Sequence, residues 1–230
     1  MNKLFSIIKS IFLSKTIVVY FINSELIHRE NIRFYKKFTS YHPKYKIIKL
    51  KKYGACFIDL KKYDSFEIYL ENINGKNSAA YYRRKSVKNN FIFAEIDRND
   101  FIEDIYEINN SSQIRQNRKM DSSYTKKITQ YSDSQLFRYY GIIKNKKLVA
   151  YTEIGYHGDF ISFNQIIGHK DYQNFGIIYH LIIEVIKDTI EKYVSVRWVY
   201  YDMYYGASKG LQDFKRKFLF KPYNVNWKIK

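Results

Sequence analysis

Several polar side chains stand in or beside strand-like runs of the sequence, where they could carry out proton transfer. Asp202 and Glu153 are carboxylates that could take a proton from an amine or hydroxyl. The Asn164 amide could donate to a developing oxyanion, and the Tyr205 phenol, close after Asp202, could act as an acid. We rank Asp202 first as the base and Glu153 second. The competing interpretation is that each carboxylate faces water on an exposed sheet surface.

Two basic clusters could bind an anionic substrate. Arg83 and Arg84 belong to a predicted cationic helix, and Arg115, Gln116 and Arg118 belong to a polar run without periodicity, which predicts a loop. The planar guanidinium of arginine matches phosphate oxygens better than the point charge of lysine does. For each residue alone, a solvated face explains the charge as well. Together they favour contact with an anionic substrate.

A short run before a predicted helix could hold a phosphate group. The run consists of Gln173, Asn174, Phe175, Gly176 and Ile177. A glycine at a helix start exposes backbone N–H groups and the positive end of the helix dipole to a pyrophosphate. The next residue, Ile178, is bulky and is expected to crowd a phosphate pressed against the backbone.

Metal binding and cysteine chemistry are not indicated by the sequence. His169 and His180 lack the spacing of metal ligands, so we predict no metal, and His157 falls in a turn where we expect it to be solvated. Cys56 is the single cysteine and is expected to be buried packing. One cysteine cannot form an internal disulfide, which makes a reducing cytoplasm the default compartment.

The charge balance is strongly basic, with 40 Lys and Arg against 22 Asp and Glu and a net charge of +18. Such an excess indicates an acidic partner: nucleic acid, nucleotide phosphates or an anionic membrane. Residues 1–22 are apolar, but Lys3, Lys9 and Lys15 interrupt them, so no charge-free stretch could cross a bilayer. An amphipathic helix there could pack on the core or attach peripherally to the inner face of a membrane.

Hydrophobic periodicity predicts the elements that must position these residues. In the second half these are strands at 137–144, 148–156 and 160–168, a helix from 176 to about 192, a strand at 194–203, a helix at 208–218 and a strand at 223–229. In the first half they are paired strands within 45–60, a helix from 66, a basic helix at 81–88, a strand at 91–96, a helix at 100–109 and a loop at 111–124.

The order of elements over 137–230 resembles the acyl-CoA-binding half of the GNAT acyltransferase superfamily, and the Gln173–Gly176 run is similar to its Q-x-x-G phosphate loop. The segment 210–218, with Phe214, Lys215 and Phe218, resembles the F-K-x-x-F run that closes FemAB-type transferases, which fuse two GNAT-like halves. With looser similarity upstream, the FemAB-like resemblance spans about 45–228.

The resemblance implies an α/β (α+β) fold with a mixed, mostly antiparallel central sheet flanked by helices. It also implies three parts: an N-terminal helical or extended segment at 1–44, a truncated N-terminal α/β half at 45–130, and a GNAT-like acyltransferase half at 137–230. The first half must be truncated because the chain is shorter than two full GNAT domains.

The resemblance further implies an acyltransferase. Its donor would be acyl-CoA or an aminoacyl-tRNA, and its acceptor an amine, such as one on a sugar nucleotide or on a cell-wall or surface-glycan precursor. The alternative is a catalytically degenerate fold that binds nucleic acid or an anionic membrane, which rests on the net charge and residues 1–22.

Overall fold

The computed structural model describes residues 10–22, 28–43, 46–115 and 118–230. The chain folds as two compact, discontinuous units. Unit 1 comprises Met1–Lys62, Gly155–Phe163 and Val194–Lys230, and unit 2 comprises Tyr63–Ile154 and Asn164–Tyr193. The three-part division expected from the sequence stays a prediction. No helix of the described residues has the length and apolar character needed to cross a membrane.

The fold is a mixed α/β fold with a large, mostly antiparallel sheet flanked by helices, as the sequence predicted. Its strands are β1 (Thr16–Phe21), β2 (Tyr53–Asp59), β3 (Ile92–Glu95), β6 (Phe137–Lys144), β7 (Lys147–Tyr156), β8 (Phe160–Gly168), β9 (Trp198–Met203) and β10 (Lys221–Ile229); a separate two-stranded ribbon contains β4 (Ile114–Arg115) and β5 (Arg118–Lys119). The α-helices are α1 (His28–Thr39), α2 (Phe66–Asn72), α3 (Ala79–Lys88), α4 (Ile102–Asn110), α5 (Ser122–Thr125), α6 (Ile177–Lys192) and α7 (Lys209–Arg216).

Unit 1 is built on the strand order β1-β10-β2-β9-β8. β1 pairs parallel with β10, β2 pairs antiparallel with both β10 and β9, and β9 pairs parallel with the beginning of β8. An aromatic core covers these strands: Phe38 of α1 lies 4.9 Å from Trp227 and 5.3 Å from Tyr200, ring centre to ring centre. Burial of each such ring stabilises the unit by about 1.5–3 kcal/mol.

Unit 2 contains the strand order β8-β7-β6-β3 and the helices α2 to α6. β6 and β7 join through a two-residue turn at Asn145 and Lys146, whose φ angles of 51° and 66° suit the twist of a hairpin. Helix α6 buries a continuous aliphatic face, and helix α3 packs on it through stacked rings of Tyr82 and Tyr179, 4.5 Å apart. A serine caps the N-terminus of each of the helices α2 and α3: Ser65 and Ser78 accept hydrogen bonds from backbone N–H groups of the first turn.

Three predicted elements were wrong in part. The paired strands expected within 45–60 reduce to the single strand β2, and Ile47 is 89% exposed. The strand expected from 194 begins only at Trp198, after an exposed Val194. The loop at 111–124 contains the β4–β5 ribbon and the short α5. In each case the local residue pattern did not determine whether a neighbouring strand was present to pair with the segment.

The N-terminal segment is also more extended than a single helix. Residues 16–21 form β1, whose exposed and buried side chains alternate. Phe12 and Leu13, which precede it, are 83% and 76% exposed, so they do not contribute to the core. The greater part of the expected amphipathic helix, residues 1–9, lies outside the described residues.

Candidate functional site

Glu153 on β7 is a carboxylate held by hydrogen bonds from the strands on either side. The Tyr139 hydroxyl on β6 lies 3.3 Å from its Oε2, and Asn164 Nδ2 on β8 lies 3.2 Å from its Oε1. Glu153 is half-buried and, within the part of the chain that the structure describes, forms no ion pair. It is therefore an oriented carboxylate without a neutralising cation, which is the state that a proton acceptor needs.

Asp202, at the end of β9, is placed differently. Its backbone has a φ of 46°, and the Lys51 ammonium lies 2.5 Å from its Oδ1. Partial desolvation raises the pKa of this carboxyl, but the Lys51 and Lys215 ammonium groups lower it by more, so the pKa lies below its ordinary value. A carboxylate with a lowered pKa is a weaker base. The arrangement therefore favours a charge-pairing role for Asp202.

Lys215 on α7 is a buried cation at the same strand end, only 1% exposed. Its Nζ donates to the carbonyl oxygens of Tyr201 and Met203, both at 2.8 Å. These residues follow Tyr200, the last residue of β9 that pairs with β8. Lys215 thus satisfies backbone acceptors beyond the end of the parallel pairing. Desolvation lowers the pKa of this ammonium, and the nearby Cys56 and Asp202 oppose that effect.

Tyr205 lies in unit 1, where its hydroxyl is 3.0 Å from Ser14 Oγ. Together with Arg216 and Phe220 it lines a cavity of about 450 Å³ whose wall is mainly apolar. Either hydroxyl can be the donor of this hydrogen bond. The acid role expected for Tyr205 stays a prediction.

The run Gln173–Ile177 precedes and begins α6 in unit 2. Gly176 has a φ of 80°, and a Cβ built there would lie 2.5 Å from the backbone oxygen of Tyr82. The backbone oxygen of Asn174 accepts a hydrogen bond from Lys85 Nζ at 2.7 Å. Packing against α3 therefore accounts for the glycine on its own, and the open phosphate cradle expected from the sequence is covered at Gly176.

The other residues of this run divide between surface and core. Gln173 and Asn174 are exposed, Phe175 lies 5.4 Å from the Phe91 ring, and Ile177 is fully buried. Ile178 packs toward β8: a Cβ at Gly168 would lie 2.8 Å from its Cδ1. The expected steric conflict between Ile178 and a phosphate stays a prediction.

The basic residues expected to bind substrate are largely engaged within unit 2. Arg83 Nε donates to Glu184 Oε1 at 2.6 Å, and Arg115 donates to the backbone oxygens of Gly168 and Ile108. The exposed Arg84 bonds to the side chain of Asn74 at 3.0 Å. Gln116 and the side chain of Arg118 lie outside the described residues. Arg115 consequently positions the backbone at the end of β8.

A cation that sequence reasoning missed borders two cavities of unit 2. Their volumes are about 460 and 410 Å³, and both are lined by Arg98, Tyr131 and Ser132. The Arg98 guanidinium lies 4.2 Å from the centre of the Tyr131 ring and 3.7 Å from that of Tyr139. Tyr139 is also the residue whose hydroxyl bonds to Glu153. The candidate base and the unassigned arginine thus contact the same tyrosine.

The histidines and the cysteine have structural surroundings. His157 is completely buried, which overturns the expectation that it is solvated: its Nδ1 lies 2.8 Å from Asn31 Oδ1 and its Nε2 3.0 Å from Ser162 Oγ. Burial raises the pKa of the Cys56 thiol to about 12, which makes it a poor nucleophile. Across the described ranges, no cluster of three His, Cys, Asp or Glu side chains could hold a metal ion.

Similarity to known proteins is confined to solved structures. No protein-family model matches the chain, and no curated protein matches it significantly. A proposed lysylphosphatidylglycerol synthetase from Agrobacterium fabrum, represented by its C-terminal DUF2156 domain, has 13% identity, a TM-score of 0.49 and coverage of 74% of this chain and 58% of that one.

L-PGS from Bacillus licheniformis has 15% identity, a TM-score of 0.49 and coverage of 74% of this chain and 57% of that one. The ribosomal-protein-S18-alanine N-acetyltransferase from Escherichia coli has 14% identity, a TM-score of 0.41 and coverage of 55% of this chain and 75% of that one. This chain spans a little over half the length of the first two structures. Similarity at this level does not assign a family.

Proposed function

We propose that this protein is an acyltransferase that moves an acyl group from an activated donor, a thioester, to an amine. The observation that carries the proposal is the Glu153 carboxylate, which Tyr139 and Asn164 hold between three adjacent strands. Of these two partners, Tyr139 also lines the 460 Å³ cavity. Glu153 is the base, and Asn164 is a positioning residue because its amide donates to that carboxylate. Amine acylation needs such a base, since an amine reaches the site mainly as an ammonium ion.

The reaction follows from these roles. Glu153 accepts one proton of the ammonium, directly or through one water molecule. The neutral nitrogen then attacks the carbonyl carbon of the donor, so that the C–N bond forms and the C–S bond breaks. The leaving thiolate takes the second proton from nitrogen, and the first returns to solvent. The products are an amide, a thiol and one proton, with no covalent enzyme intermediate.

The donor we favour is acyl-CoA. Helix α6, 16 residues long, begins directly after the β8 loop, and its dipole favours an anion at this end. Lys170 in that loop is exposed and adds positive charge. Because Tyr82 covers Gly176, we expect a pyrophosphate to lie beside the first turn of α6 rather than on the glycine itself. An aminoacyl-tRNA, suggested by the FemAB-like ending, has no comparable support from a described contact.

A second candidate function is binding of a polyanion or an anionic membrane without catalysis. The net charge of +18 favours it, and so does the ion pair that weakens Asp202 as a base. In this case the protein would bind nucleic acid in a strongly salt-dependent manner, and neutral variants of Glu153 and Asp202 would behave like wild type.

The test of the transferase is thiol release from acetyl-CoA in the presence of a panel of amines. Glu153→Gln keeps the hydrogen-bonding shape of the side chain but removes the base, so we expect a loss of turnover of about a hundredfold or more. Glu191→Gln is the matched control, because Glu191 is an exposed carboxylate of the same unit. Titration with acetyl-CoA should show salt-tolerant binding in all three proteins.

Two results would contradict the proposal, the first in its donor and the second in its base. Absence of acetyl-CoA binding at moderate salt would remove the thioester donor and leave the polyanion-binding candidate. Binding with turnover that Glu153→Gln leaves intact would retain an acyltransferase but assign the base elsewhere, and Asp202→Asn would then be the next variant to measure.

A further inference from the structure

Among the residues that the structure describes, Arg98 is the one charged side chain in the lining of the 410 Å³ cavity of unit 2. The other side chains of its wall are hydroxyls, amides and one isoleucine. Its volume lies in the range of small-molecule sites, which is about 300–1,000 Å³. A cavity with many neutral polar groups and one cation suits a ligand with many hydroxyls and one anionic group.

Hydrogen bonds within the cavity wall fix its polar groups in place. The Tyr151 hydroxyl donates to Asn109 Oδ1 at 2.8 Å, and Asn109 Nδ2 donates to the backbone oxygen of Tyr124 at 3.1 Å. Tyr151 and Asn109 are only 3% and 6% exposed. Gln165 Nε2 lies 3.3 Å from the Tyr124 hydroxyl. The wall is therefore oriented before any ligand arrives, which lowers the entropy cost of binding.

Arg98 is held without being neutralised. Its guanidinium lies over the rings of Tyr131 and Tyr139, and its Nη2 donates to the backbone oxygen of Ser132 at 3.3 Å. No carboxylate of the described residues forms an ion pair with it. A guanidinium has five N–H donors in a planar fork that matches a carboxylate or phosphate. The contacts with the two rings hold this fork at the cavity.

We infer that this cavity binds a small hydroxylated anion of monosaccharide size, with its phosphate or carboxylate on Arg98. The hydroxyl groups of the ligand meet Gln165 and the Tyr124 hydroxyl. The identification of this ligand as the acyl acceptor rests on the proposed function, and it requires that the ligand also carry an amine. The binding of the anion does not depend on that function.

The experiment is calorimetric titration of the full chain with glucosamine 6-phosphate, glucuronate and neutral glucose, the first two separating phosphate from carboxylate. We expect at least one anionic probe to bind more tightly than glucose. Arg98→Gln should weaken that probe by about ten- to a hundredfold, because it removes charge-assisted hydrogen bonds. Arg138→Gln, an exposed arginine paired with Glu95, is the matched control and should leave the affinity unchanged.

A second variant, Gln165→Leu, tests the hydroxyl side of the site and keeps the test available if Arg98→Gln does not fold. Equal affinity for neutral and anionic probes, no binding of any probe at millimolar concentration, or no effect of either variant would overturn the inference. Anion binding without acyl transfer would retain it and refute the proposed function. Acyl transfer to an amine at a rate that both variants leave unchanged would retain the proposed function and refute the assignment of this cavity as the acceptor site.

Discussion

At the scale of single residues, Gly176 could be required either for phosphate binding or for close packing against α3. The Q-x-x-G run predicts a phosphate contact, whereas the structure places the backbone oxygen of Tyr82 2.5 Å from the position of a Cβ. We expect Gly176→Ala to lower the free energy of unfolding by about 1–3 kcal/mol, because alanine is strained at a positive φ and its Cβ would clash with the backbone of Tyr82. Chemical denaturation measures this loss.

Gly206→Ala is the matched control for that substitution. Gly206 also has a positive φ, 89°, but no atom lies within 4 Å of its Cβ position. Gly206→Ala therefore introduces backbone strain without a clash, and we expect it to lower the free energy of unfolding by less than Gly176→Ala does. Should Gly176→Ala keep full stability and lose only affinity for acetyl-CoA, the glycine would have the phosphate role that the sequence predicts.

The sequence could name Glu153 and Asn164 because each interrupts a clear strand pattern, but it could not show that they contact each other through neighbouring strands. It could not identify Arg98, whose partners Tyr131 and Tyr139 are distant in the chain. The Lys51–Asp202 pair is non-local for the same reason. The roles of these residues as oriented base, free cation or paired carboxylate depend on tertiary contacts. Their roles, and the FemAB-type assignment, stay predictions.

At the scale of elements, the sequence predicted the hairpins around β7 closely and the segment before β2 poorly. Asn145 and Gly158, both with positive φ, mark the two turns by their residue types. The run at 45–60 has comparable alternation, yet its first part forms only an isolated bridge between Tyr41 and Lys49. Alternation predicts a strand only where a neighbouring strand is present to pair with it.

The element-scale prediction concerns the buried histidines. His157 connects α1 to the β7–β8 turn and β8 through Asn31 and Ser162, and burial lowers the pKa of His157 to about 3. Burial and the nearby Arg83 lower the pKa of His180 to about 4. Since the pKa of an unfolded histidine is about 6.5, the unfolded chain binds more protons than the folded chain below that pH. The free energy of unfolding should therefore decrease as the pH is lowered, by about 2 kcal/mol per histidine at pH 5.

Urea denaturation at several pH values between 7 and 5 measures this slope. His157→Gln should reduce the slope by about one proton, together with a loss of stability at pH 7 from the broken contacts. The control is His28→Gln on α1, a residue with an exposed side chain. An unchanged slope in His157→Gln would show that the network opens or rearranges before the imidazole is protonated.

At the scale of the whole molecule, the sequence indicates the class of fold, and the predicted three-part division stays a prediction. Each unit is assembled from separated segments, so that unit 1 takes up Gly155–Phe163 and the C-terminal region as well as the N-terminal one. β1 completes unit 1 by pairing parallel with β10, from the opposite end of the chain. A division by position along the sequence has no means of detecting such pairings, because they leave no local signal.

The net charge of +18 has a consequence for the molecule as a whole. Like charges that remain in the compact state repel one another, and added salt screens this repulsion over about 10 Å at 0.1 M. We expect the melting temperature to rise with sodium chloride from low to physiological concentration, and the double variant Lys126→Gln, Lys228→Gln, at two exposed lysines, to melt higher at low salt with a smaller salt effect. Differential scanning calorimetry measures both. A melting temperature that falls as salt is added would contradict this expectation, because it would mean that surface ion pairs outweigh the repulsion.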